Sequence, residues 1–167
     1  ANANFQVLGV YDKKLVLPIA EVIKDLCVKR AMVVHSEEGL DEISCEKDTY
    51  VAELDEDKIT EYTINPKDFD LEISPLESLK VNTVEESYKI FINMLGNNDK
   101  AAVNIVSLNA GAAIYIAGIK ENLKSSIKFA KEIIESGKAM KKFEDIKKSM
   151  PEEIKTPQIL KEILENK

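Results

Sequence analysis

The chain has 167 residues, 44% hydrophobic and 32% charged, a composition that fits one globular domain with a real core plus a tail and excludes disorder along its whole length. A formal charge of −7 argues against nucleic acid or an anionic membrane as the main partner, and no apolar run reaches the ~18 to 20 residues that span a bilayer. Arg30 is the only arginine, so a planar fork for a carboxylate or phosphate has a single candidate.

Ala1 to Asn4 is polar and reads as a severed linker, with no initiator methionine before it, as expected of a processed chain or a piece of a longer one. Phe5 to Tyr11 predicts an extended segment closed by Gly9. From Leu15 to Cys27 the apolar residues Leu15, Ile19, Val22, Ile23 and Leu26 recur at helical steps, with Pro18 in the first turn, where its missing N–H costs nothing. Ala31 to Val34 is a short apolar, β-branched run suited to a strand buried on both faces, giving the β-α-β rhythm of a sheet covered by helices. Cys27 and Cys45, in a chain without a secretory signal, are expected to be reduced thiols of a cytoplasmic protein.

Beyond His35 come four carboxylates in six residues: Glu37, Glu38, Asp41 and Glu42. Asp41 and Glu42 would point to opposite faces of a strand, and only an irregular backbone, which Gly39 permits, lets both address one small volume. Oxygen pairs held at the end of a buried strand suit a hard cation such as Mg²⁺, which keeps most of its waters and bridges to phosphates. The same residues also read as a solvated acidic loop. His35, the only histidine, is read as structural although it sits at the strand end, and Arg30, before the strand, as a structural residue at the sheet's far end.

Thr49 to Leu54 and Ile59 to Ile64 alternate and predict a β-hairpin around Asp55 to Lys58. Lys67 to Lys80 has no clear period and reads as a surface connection. The remainder is helical. Val84 to Leu95 opens on a capping box of Thr83 and Glu86 and closes at Gly96. Ala101 to Gly118 is small and apolar nearly all round, as in a helix buried on most sides, and the Asn109 amide within it is expected to bond a neighbouring backbone. Leu123 to Ser136 and Ala139 to Lys148 follow, separated by Gly137. Residues 1–150 thus form the α/β portion, and 151–167 a polar linker between Pro151 and Pro157 with a short tail helix over Gln158 to Asn166.

The spaced motifs Gly9-Val10-Tyr11, Lys29 to His35, Gly39-Leu40-Asp41-Glu42-Ile43-Ser44, Thr49 with Glu53-Leu54, Pro66 with Asp68-Phe69, and Leu108 to Gly118 together resemble the C-terminal part of anthranilate phosphoribosyltransferase, as far as about Lys147. The resemblance implies an α/β fold of the nucleoside phosphorylase and phosphoribosyltransferase type, here a partial sheet with a central strand, a β-hairpin and packed helices. It implies transfer of phosphoribose from phosphoribosyl pyrophosphate to anthranilate in tryptophan biosynthesis, with Mg²⁺ as cofactor held by Asp41 and Glu42. It also implies that the glycine-rich pyrophosphate loop, the anthranilate-binding residues and the helical domain through which a homodimer forms lie in an N-terminal part absent here, leaving this chain inactive alone. The six glycines never cluster, in keeping with that loop's absence. The Gly-Gly pair that family members usually carry before the helix at Val84 is missing from the matching stretch, Leu79 to Ser87, near Val81-Asn82. The last nine residues are similar to the first helix of indole-3-glycerol-phosphate synthase, as in a gene fusion. Two other functions stay open: part of a pyrimidine nucleoside phosphorylase-like enzyme, or a non-catalytic binding module.

Overall fold

The computed structural model describes residues 3–151, so the expected tail helix, and the linker from residue 152 on, lie outside the described residues. Strand β1 (Phe5–Gly9) leads through a single 3-10 turn into helix α1 (Val16–Asp25) and then strand β2 (Arg30–Ser36). Strands β3 (Thr49–Asp55) and β4 (Lys58–Ile64) form the hairpin. Helices α2 (Val84–Leu95), α3 (Lys100–Ile116), α4 (Leu123–Glu135) and α5 (Lys138–Ser149) follow. The sheet order is β1-β2-β3-β4, with β1 parallel to β2 and the other two pairs antiparallel.

Alternation along β2 decides the layers. Ala31 and Val33 face α1 and pack with Val16, Ala20, Ile23, Ala52 and Leu54. Met32 and Val34 face the other way and pack with Ile43, Val51, Leu108, Ala112 and Ile116. Met32, Val33 and Val34 each contribute roughly 1.5–3 kcal/mol by burial, so a strand lined on both faces is the best-anchored part of the sheet. The small-residue character of α3 has its expected outcome: a Cβ at Gly111 would lie 2.6 Å from the Ile127 Cα, and α4 can approach only because none is there.

Helix ends follow their local chemistry. The Thr83 hydroxyl accepts from Glu86 N at 3.1 Å, and the Glu86 carboxylate accepts from Thr83 N and Asn82 N, which completes the expected capping box. Asp99 caps α3 through Ala102 N at 3.1 Å.

The stretch from Lys67 to Lys80 departs from a plain surface connection. Leu71 and Ser74 are buried, and two short 3-10 turns, Pro66–Phe69 and Leu76–Leu79, shape the segment. It is pinned by single polar bonds: Ser74 N donates to Cys45 O at 3.0 Å, Leu76 N to Glu46 Oε2 at 2.8 Å, and Asn104 Nδ2 to Glu72 O at 3.1 Å. Such bonds leave no periodic trace in sequence, which is why the segment reads as unstructured.

Candidate functional site

The acidic loop is built on the end of β2. Ser36 accepts Leu40 N on its hydroxyl at 2.9 Å and donates its own N–H to Leu40 O at 3.0 Å, while Gly39, at φ +93°, donates to Ser36 O. The chain is thereby turned back on itself within four residues, and Gly39 supplies the left-handed step this needs.

The four carboxylates then divide by role. Glu38 accepts from the hydroxyl of buried Ser44, and that hydroxyl accepts in turn from Glu46 N at 2.9 Å and Lys47 N at 3.0 Å. Glu38 is therefore spent on the loop's own frame. Glu37 points to solvent. Asp41 and Glu42 are exposed, and among the described residues neither carboxylate takes part in a hydrogen bond or ion pair. Both line an open cavity of about 360 Å³ whose other walls are largely apolar, from Val7, Gly9 and Val34 of the sheet and Ile105, Val106 and Ala110 of α3. The cavity lies at the carboxyl ends of the parallel strands β1 and β2, where ligands of α/β sheets bind.

Three contacts fix this geometry. A Cβ on Gly9 would fall 1.5 Å from the Asp41 carbonyl oxygen, so β1 and the loop touch backbone to backbone. His35, buried as part of β2, has its Nδ1 2.7 Å from Val10 O; a carbonyl only accepts, so Nδ1 carries the proton and the ring is structural, as expected. Asn109 accepts from Ile43 N at 2.9 Å and donates to Ile43 O and Ile105 O, each at 3.0 Å. The backbone role expected of Asn109 is found, but its partner is the acidic loop.

Arg30 lies at the opposite end of the sheet. Its Nη1 donates to Tyr115 O at 3.1 Å and Ile116 O at 3.3 Å, satisfying carbonyls at the end of α3. Nη2 is 3.8 Å from Glu53, and Nε is 3.3 Å from Asp55 but off the hydrogen-bond line, so that contact is Coulombic. Glu53 also accepts from Tyr62 at 2.7 Å and Tyr115 at 2.8 Å. This hub escapes sequence reading, as do the Gly9 contact and the Glu38–Ser44 bond. The only signals were a glycine at a strand end and an acid within an alternating strand.

The chemistry of the open pair is restrictive. Among the described residues no group of three or more His, Cys, Asp or Glu side chains could enclose a metal ion. Two hard oxygen donors fit Mg²⁺, which needs only one or two carboxylates when phosphates and water complete its shell, and do not fit a zinc-type cage. No described helix is long and apolar enough to cross a membrane.

Residues 1–140 match the family model described as glycosyl transferase family, a/b domain. Anthranilate phosphoribosyltransferase of Petrotoga mobilis is 44% identical over 146 residues, covering 87% of this chain and 42% of that protein. Among solved structures, anthranilate phosphoribosyltransferase from Thermus thermophilus superimposes with a TM-score of 0.71 at 33% identity, covering 79% of this chain and 39% of that one. A variant of the Saccharomyces cerevisiae enzyme with Mg bound gives a TM-score of 0.71 at 25% identity, over 84% of this chain and 41% of that one. The chain thus spans less than half the length of the proteins it matches. Its α/β architecture is that of these neighbours, and the chain belongs to the glycosyl transferase family as its a/b domain.

Proposed function

We propose that this chain is the metal-holding wall of an anthranilate phosphoribosyltransferase, which moves phosphoribose from phosphoribosyl pyrophosphate to the anthranilate nitrogen and releases pyrophosphate. The observation that carries the reading is the pair of unengaged carboxylates, Asp41 and Glu42, on the lip of a cavity at the strand ends. Asp41 and Glu42 would hold Mg²⁺, which, when bound, supplies positive charge against the departing pyrophosphate. Val7, Val34, Ile105 and Val106 give the same open cavity an apolar floor against which the ribose would rest. No side chain of this wall has to act as a nucleophile.

The rest of the enzyme supplies the remaining walls. Among the described residues strand β1 pairs on one side only, with β2, and the cavity opens beside its Gly9 end. A further part of the same enzyme, bringing the pyrophosphate loop, the anthranilate contacts and a helical dimerisation domain, is the proposed partner at that edge. The unpaired thiols of Cys27 and Cys45 suit the cytoplasm, the proposed location.

The test uses the complete protein with phosphoribosyl pyrophosphate, anthranilate and Mg²⁺. Asp41→Asn with Glu42→Gln is expected to cut turnover by roughly 10²- to 10³-fold while the fold is kept. Full activity in the double variant removes the metal assignment.

A further inference from the structure

We propose that Asn109 is a positioning residue for the Asp41–Glu42 pair, acting with Gly9 to hold the loop backbone so that both carboxylates address the cavity; this rests on the metal reading above. The geometry is a clasp. The Asn109 amide meets both polar atoms of one peptide residue, accepting from Ile43 N at 2.9 Å and donating to Ile43 O at 3.0 Å. An asparagine side chain thus does for Ile43 what a paired strand would do, from a helix 66 residues away in sequence. The second amide hydrogen is used on Ile105 O, the carbonyl one turn back in α3, which orients the amide from behind. Only one orientation works: reversed, the NH₂ group would face an N–H, and the oxygen would face two carbonyls.

What is clasped sits between the site and the core. The Ile43 side chain is 1% exposed and packs with Met32, Val34, Cys45 and Leu108, so the residue after Glu42 is held through its side chain and its backbone. On the other side, the Asp41 carbonyl rests where a Cβ of residue 9 would stand. The two acids are therefore bracketed, with the backbone fixed at Asp41 and at Ile43 and only the carboxylates left free. Asn109 and Gly9 also line the cavity wall beside them. Ordering a loop at the moment of binding costs conformational entropy, and a backbone already ordered removes that cost from metal capture. Partners one layer outside a metal's ligands typically change affinity or activity by about 10- to 100-fold when lost.

Asn104 is the internal comparison. It lies on the same helix, is buried, and donates to Glu72 O and to Ser74 Oγ at 3.2 Å, contacts that do not involve the acidic loop.

The experiment measures Mn²⁺ binding to the complete protein in the presence of pyrophosphate by electron paramagnetic resonance, together with the Mg²⁺ concentration for half-maximal turnover and the melting temperature. Asn109→Ala is expected to weaken Mn²⁺ binding about 10-fold and raise the Mg²⁺ requirement in step, whereas Asn104→Ala lowers the melting temperature with Mn²⁺ binding unchanged. Gly9→Ala, which pushes on the Asp41 carbonyl, should mimic Asn109→Ala, and Asn109→Ser, too short to reach Ile43 but free of any clash, serves if either variant does not fold. Amide hydrogen exchange at Ile43 should speed up in Asn109→Ala and not in Asn104→Ala. If Asp41→Asn with Glu42→Gln abolishes Mn²⁺ binding while Asn109→Ala and Gly9→Ala bind within twofold of the parent, the positioning role is overturned. If the double acid variant binds Mn²⁺ normally, it is the metal reading that fails.

Discussion

The two ends of the sheet handle charge in opposite ways. At the Arg30 end, one guanidinium, two carboxylates and two tyrosine hydroxyls are drawn into a single hub, and the Arg30 and Glu53 side chains are 21% and 13% exposed. At the Asp41 end Ser36, Ser44 and Asn109 bond the backbone, one carboxylate, Glu38, is tied to Ser44, and Asp41 and Glu42 stand open. The first arrangement joins α3 to the sheet, since Arg30 and Tyr115 bridge the helix end to β2 and β3. The second leaves charge uncancelled, which costs little at an exposed position and keeps both acids open to a ligand. Mutations should therefore separate stability from activity along the length of the strands.

If the proposed metal site stands, neutralising Asp41 and Glu42 is expected to give the largest effect, in the activity of the complete protein alone. A loss of ~10²- to 10³-fold corresponds to about 3–4 kcal/mol of barrier, with urea midpoints unmoved. Arg30→Ala is the mirror image. It takes the one cation from beside Glu53 and leaves the α3 carbonyls unpaired, and is expected to cost about 3 kcal/mol of stability in urea titrations, with the proposed Mg²⁺ dependence of the complete protein unchanged.

Alkali separates the ends more gently. Burial pushes the Cys45 thiol from 9.0 to about 11, so between those values the unfolded chain has lost a proton that the folded chain keeps. Stability is complete below pH 9 and falls as pH rises through that window, by about 3 kcal/mol at most. Tyr62 and Tyr115 are raised in the same direction by burial and then by Glu53, which extends the decline above pH 10. Cys45→Ala should flatten the pH 9 to 10 part of the curve measured by chemical denaturation. The smallest effect is Tyr62→Phe, which removes one hydroxyl from Glu53 and should cost about 1 kcal/mol, read as a lower urea midpoint.

Much of the framework was legible in the chain. Periodicity placed the strands and helices within a residue or two, because β2 is lined on both faces and α2 carries its own capping box. The place of the Asp41–Glu42 pair, exposed on a loop that follows a buried strand, was legible as well. The frame around them was not. Gly9 reads as the close of a strand, yet its missing side chain makes room for the Asp41 carbonyl, 32 residues on. Asn109 reads as a satisfied helix amide, which it is, but its chief partner is Ile43. Glu53 looks like the solvent side of an alternating strand and is instead a meeting point for two tyrosines. Each of these is a contact between distant residues made by one or two atoms, and neither pattern nor propensity encodes such a contact.

Gly39 carries a consequence of its own. Its φ of +93° is left-handed, yet nothing stands within 4 Å of where a side chain there would project, so the restriction is one of chirality and not of room. Semisynthesis could exploit that: D-alanine at this position accepts the same torsion and narrows the unfolded ensemble, whereas L-alanine must twist the loop to fit. The mirror-image residue would favour the turn that leads to the two acids without touching anything else among the described residues.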